Sequence, residues 1–247
     1  MIASLAMYDR AETAAANDRY WQAIRARLGF GPDSLSRGGD LWQHWLSPDL
    51  VLSQTCGYPY RARLHGRVTL VGTPDYGLED CPPGHYRSVF VVRGDDPRDD
   101  LAAFAADRFA YNEAMSQSGW AAPQTHAARL GFAFENLRPS GGHRFSARMV
   151  AEGQADIASL DALTWEILQQ HDSFANDLRV IAHTDPTPVL PYITARGREA
   201  DVILAAIAGA IADLSAQDRA LLHLKGVVSI PAEDYLSVPT PPAPPPI

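Results

Sequence analysis

Apolar positions along the chain keep switching between a two-residue and a roughly helical repeat. Ile2 to Met7 reads as a buried strand, and Ala11 to Leu28 as a helix with Ala15, Tyr20, Ile24 and Leu28 on its apolar side. Strands at Leu50 to Thr55 and Val68 to Gly72 run into "CGYPY" and "TPDYG". Further on come strands at Arg108 to Tyr111, Phe134 to Leu137, Ala155 to Leu160 and Leu178 to His183, with helices at Pro123 to Leu130, His143 to Glu152 and Asp161 to Gln170 between them. This alternation predicts an α/β protein with largely parallel sheets.

"PPGHYRSVFVVRGDDP" places a strong apolar strand, Tyr86 to Arg93, between two turns and marks a change of unit. The stretch from Glu199 onward, two helices and "VVSIPAEDYL", supplies apolar faces that the first unit needs. Two lobes are therefore expected: residues 1–85 with 190–247, and residues 86–189. Crossings at Tyr86 to Arg93 and Val189 to Ala195 would form a two-strand hinge. The tail "PTPPAPPPI", 239–247, after Val238, reads as a mobile polyproline-type extension.

Composition narrows the function. The 247 residues are 46% hydrophobic and 20% charged, with a formal charge of −8 and no Lys/Arg cluster, so a nucleic-acid surface has no electrostatic footprint. "VILAAIAGAIADL", Val202 to Leu214, is too short to cross a bilayer and reads as a core helix, so no membrane insertion is expected. No basic segment followed by an apolar one opens the chain. The protein is thus expected in the cytoplasm unless an export signal has been removed. Cys56 and Cys81 fit neither a CxxC nor a zinc spacing, and Cys81 with His85 is at most half a metal site. They are either two buried thiols or a disulfide between loops, the latter implying an oxidising compartment. No cofactor is implied.

Several strands end in a small or polar residue with tyrosine close behind, which puts Tyr8, Thr55, Tyr58 and Tyr76 on the rim where open α/β sheets bind ligands. The same tyrosines would serve equally as half-buried filler. "DRFAYNEAMSQSGWAAP" breaks a strand with Ser116, Gln117, Ser118 and Gly119, neutral donors with no lysine or arginine among them. Serine at this place caps a helix. A helix N-terminus with free N–H groups and hydroxyls is also a ready anion site, needing no cation because hydrogen bonds to an oxyanion are charge-assisted. His143 opens a second helix after Gly141–Gly142, and Asp161 either orients His143 or caps the following helix.

The segments "QTCGYP", "HYRSVFVVR", "RFAYNEAMSQSG", "SGGHRFSARMVAEGQADIASLD" and "TPVLPYIT", in this order and spacing, resemble the phosphate/phosphite/phosphonate-type solute-binding proteins of ABC importers. The resemblance implies the two-lobe type 2 periplasmic-binding fold with two hinge strands and a small oxyanion bound between the lobes. It implies ligand contacts at Ser116, Gln117, Ser118 and His143, with Tyr86 and Thr187 also matching ligand-facing positions. Gln117 stands where relatives often carry threonine, and Thr187 where some phosphonate binders place a carboxylate for an amino group, which disfavours an amino-phosphonate. The implied partners are the oxyanion and an ABC permease, the implied setting is the periplasm, and a monomer is expected.

Two other readings use the same residues. A cytoplasmic ligand sensor would keep the fold without the importer. A hydrolase would use Ser118, His143 and Asp161, which occur in that chain order, although no G-x-S-x-G elbow surrounds the serine.

Overall fold

A computed structural model describes residues 1–245 and divides the chain into two compact units. One contains Met1–His85 and Pro188–Ser237; the other contains Tyr86–Thr187 and the chain from Val238. The tail from Val238 thus packs with the second unit rather than extending from the first, and its expected last residues, 246 and 247, lie outside the described residues. Where the chain passes between units, His85–Tyr86 and Thr187–Pro188 pair as a two-stranded ribbon.

In the first unit a five-stranded sheet runs in the order Ile2–Ser4, Leu50–Gln54, Tyr192–Ala195, Val68–Asp75, Gly226–Val228. Its first pair is parallel, but Tyr192–Ala195 lies antiparallel to both neighbours, as does Gly226–Val228 to Val68–Asp75. The expectation of largely parallel sheets fails here because the chain returning at Pro188 enters the sheet from the opposite end. Local periodicity cannot report that direction.

Helix Ala14–Leu28 buries Ala16, Tyr20, Trp21 and Ile24 on one side. It stops at Gly29, whose N–H closes the last turn on the Arg25 carbonyl and whose φ of 73° turns the chain out of the helix, a conformation that a side chain would strain. Helix Ala200–Asp213 buries Ile203, Ala206, Ile207, Ala210 and Ile211, and no helix among the described residues is long and apolar enough to cross a membrane. The far side of the core gathers Trp45, Leu50, Tyr60, Leu64, Ile193 and Tyr235. Tyr235 donates to the Val189 carbonyl at 2.9 Å and bonds Thr73 Oγ1 at 2.6 Å, which satisfies its hydroxyl in an apolar site.

The second unit has a five-stranded sheet in the order Leu137–Pro139, Phe109–Tyr111, Ile157–Asp161, Ser88–Arg93, Leu178–His183. Ser88–Arg93 is antiparallel to both neighbours, while Phe109–Tyr111 is parallel to both of its own. The stretches expected as crossings, Tyr86 to Arg93 and Val189 to Ala195, therefore serve largely as interior strands, and the passages lie just before them. Phe109 stacks on Phe134 at 4.3 Å, with Phe90 tilted beside them, at the centre of this core.

Candidate functional site

The polar run after strand Phe109–Tyr111 contains a helix start. A widened turn, Gln117–Ala121, runs directly into helix Ala122–Arg129, so the helix begins six residues before the expected Pro123. Ser116 is its N-cap: the hydroxyl accepts from the Gly119 N–H at 3.0 Å. Ser118 plays a different part. Its Oγ lies 2.9 Å from His143 Nε2, and its carbonyl accepts from Ser159 Oγ at 2.7 Å. Gln117 and Ser118 are both buried.

Gly119 permits this closeness. A Cβ there would stand 1.9 Å from Asn112 Oδ1 and 3.2 Å from His143 Cε1, so only glycine fits without rearrangement. Around the turn, Asn112 Oδ1 and His143 Nδ1 are buried atoms without hydrogen-bond partners among the described residues. Buried polar atoms normally find partners, so these two stand out beside the helix start.

His143 opens helix His143–Ala151 after Gly142. Its residue surface is only half-buried, but burial of the ring pushes its pKa down to about 4, with a Ser159 backbone group opposing in part. The ring is therefore neutral at physiological pH. If an anion accepts the Ser118 hydroxyl proton, Oγ can in turn accept from His143 Nε2–H, a short relay of neutral donors.

Asp161 is buried and caps helix Ala162–His171, accepting from the Thr164 N–H at 3.0 Å. Of the two roles open to it, the cap is the one formed, since His143 Nδ1 has no partner. The structure shows Asp161 in its capping role, and no hydrogen bond between its carboxylate and His143 Nδ1 completes a Ser–His–Asp chain.

The remaining sequence-derived candidates fall in other places. Tyr86, buried, and Thr187, half-buried, lie on the two ribbon segments. In the first unit Tyr8 meets Tyr76 edge to face at 5.4 Å, Tyr58 lies beneath the Arg61 guanidinium, and Thr55 is fully buried with its N–H on the Pro191 carbonyl. Gln54, which the sequence reading passed over, ties this region together by donating to Tyr76 Oη at 2.9 Å and to the Leu190 carbonyl at 3.0 Å. Cys56 and Cys81 are half-buried and not bridged to each other in this structure. Ser159 and Asn112 were also missed; a serine inside an apolar strand and an asparagine after one carry no local mark of their partners. No group of three or more His, Cys, Asp or Glu side chains suited to a metal ion occurs among the described residues.

Two α/β units joined by a strand ribbon, with a helix start rich in neutral donors in one of them, have the architecture of a two-lobe periplasmic binding protein. The family model described as "ABC transporter, phosphonate, periplasmic substrate-binding protein" matches residues 49–235, and the chain belongs to that family. It is a solute-binding protein of the ABC-importer type. No curated protein matches the chain. Among solved structures it is similar to a binding protein component of an ABC phosphonate transporter from Pseudomonas aeruginosa, with TM-score 0.72 and 15% identity over 95% of this chain and 82% of that one. PhnD1 from Prochlorococcus marinus, in complex with methylphosphonate, gives TM-score 0.71 and 16% identity over 95% and 94%. XAC2383 from Xanthomonas citri, bound to ATP, gives 0.70 and 15% over 96% and 94%. At such identities these structures share the fold with this chain.

Proposed function

We propose that the chain captures a small phosphonate- or phosphate-like oxyanion at the helix start carrying Ser116, Gln117 and Ser118, with His143 behind Ser118, and hands it to an ABC permease from the periplasm as a monomer. The observation that carries this is the buried helix start Gln117–Ser118, capped by Ser116, with the Ser118 Oγ–His143 Nε2 contact of 2.9 Å beside it. Ser118 supplies a hydroxyl, the helix start supplies N–H groups and a partial positive charge, and the neutral imidazole backs the hydroxyl. Ser116 contributes chiefly by capping, because its hydroxyl is already engaged with Gly119. Ligand contacts at Tyr8, Thr55, Tyr58, Tyr86 and Thr187 belong to the same proposal. Asp161 acts from a distance by fixing its own helix.

A binding role without catalysis is favoured by the imidazole itself. With its pKa near 4 and no carboxylate on Nδ1, His143 is a weak base at neutral pH. The family membership favours the importer over a sensor of the same fold.

Calorimetry with methylphosphonate, phosphate, phosphite and sulfate tests the proposal, with malate and ATP as comparison solutes. Saturable binding of at least one phosphorus oxyanion, lost on substitution of Ser118, is expected. Binding of malate with no response to any tetrahedral oxyanion overturns it.

A further inference from the structure

The C-terminal segment carries a regular exposure pattern. Val238, Pro241 and Pro244 are half-buried, whereas Pro239, Thr240, Pro242, Ala243 and Pro245 are exposed. That is a period of three, the repeat of a polyproline II helix, where a strand would repeat every two residues and an α-helix every 3.6. Residues 239–245 are neither helix nor strand. Proline fixes φ near the polyproline value, and such a helix makes no internal hydrogen bonds, so its carbonyls are open to outside donors. One finds such a donor: Trp120 Nε1 donates to the Pro242 carbonyl at 3.1 Å. The Trp120 ring is itself buried and tilted against Tyr111 at 5.1 Å. An aromatic surface presenting an N–H to a polyproline carbonyl is a recurrent way of holding proline-rich segments.

We propose that the Tyr111–Trp120 surface is a polyproline-binding groove whose occupant is the chain's own segment from Val238 to Pro245, and that the docked tail orders the turn bearing Ser118. Three features identify the occupant. The segment packs with the second unit, its apolar ridge recurs at the polyproline repeat, and its carbonyl meets the groove's one indole donor. The consequence for the turn follows from chain proximity: Trp120 sits in the same five-residue turn, Gln117–Ala121, two positions after Ser118. Tyr111 immediately precedes Asn112, whose Oδ1 approaches Gly119. Docking costs little ordering entropy, because a proline-rich segment is already stiff before it binds. The groove stands apart from the oxyanion reading, and only its effect on solute affinity would rest on that reading.

The test uses the full chain without any solute. Pro241→Gly/Pro244→Gly removes the stiffness and the apolar ridge while leaving the unit's core intact, and Trp120→Phe assigns the indole resonance. Hydrogen exchange is followed by NMR at the Trp120 indole N–H and at the backbone amides of residues 116–121, with those of Val89 to Val92 as the reference. In the double variant the indole and turn amides should exchange roughly five- to tenfold faster, about what the loss of one net hydrogen bond allows, with the reference amides unchanged. Adding a peptide of the sequence VPTPPAPP should restore the protection. Equal indole exchange in parent and variant overturns the groove. Faster indole exchange with unchanged turn amides overturns the ordering of the turn. Failure of every oxyanion in calorimetry would leave both readouts standing and would count against the oxyanion reading alone.

Discussion

Replacing Ser118 with alanine separates ligand contact from scaffolding. In the empty protein the substitution removes one neutral hydrogen bond, Ser118 Oγ to His143 Nε2 at 2.9 Å, and leaves a buried ring nitrogen unmet. The cost to stability should be about 1 to 2 kcal/mol. At the proposed site the hydroxyl of the loaded protein would also face an anion, and a hydrogen bond to a charged group contributes about 1.5 to 3 kcal/mol. Affinity should therefore fall by roughly 10- to 150-fold. The cap is a built-in control: Ser116→Ala loses the bond to the Gly119 N–H, at about 1 kcal/mol of stability, and should affect affinity less than Ser118→Ala does. Calorimetry with methylphosphonate, or with whichever oxyanion binds best, measures the first quantity, and urea unfolding of the empty protein measures the second. If Ser118→Ala loses stability yet binds as tightly as the parent, Ser118 is a prop for His143 and the oxyanion lies elsewhere.

Three further outcomes are expected. His143 is neutral in the folded protein down to about pH 4 but takes a proton near its ordinary value when unfolded. Its contribution to stability should be intact above about pH 6.5, decline as pH falls, and be lost by up to about 3 kcal/mol below pH 4; His143→Gln should flatten that part of the unfolding profile, and an unchanged slope would reject the assignment. Gly119→Ala should cost about 1 to 3 kcal/mol by forcing Asn112 aside, and Asn112→Ala should relieve much of that cost in a double-mutant cycle; additive costs would mean the strain lies elsewhere. Thiol titration of the unreduced, unfolded protein should count two reactive thiols, those of Cys56 and Cys81, and a count of zero would restore the bridge.

What could be read from residues alone was whatever a single turn of chain controls. Gly29 ends a helix because its own φ must be positive, and Ile203, Ile207 and Ile211 mark a buried helix face because their spacing matches one. The proline run announced polyproline geometry because each ring fixes its own backbone angle. The small and polar residues at 116 to 119 announced a helix start, although the close approach at Gly119 depends on Asn112, seven positions back. Tertiary structure decided the rest. Which serine caps and which meets His143 is settled by a partner 25 residues away, and whether Asp161 caps or orients is settled by which donor lies within reach. Strand direction followed the path of the returning chain, so Tyr192–Ala195 became antiparallel where alternation of elements suggested otherwise. The tail's place on Trp120 required a donor 122 positions earlier. Backbone angles and apolar period are properties of neighbours in sequence, whereas a hydrogen-bond partner or a sheet neighbour is fixed only when the whole chain has closed on itself.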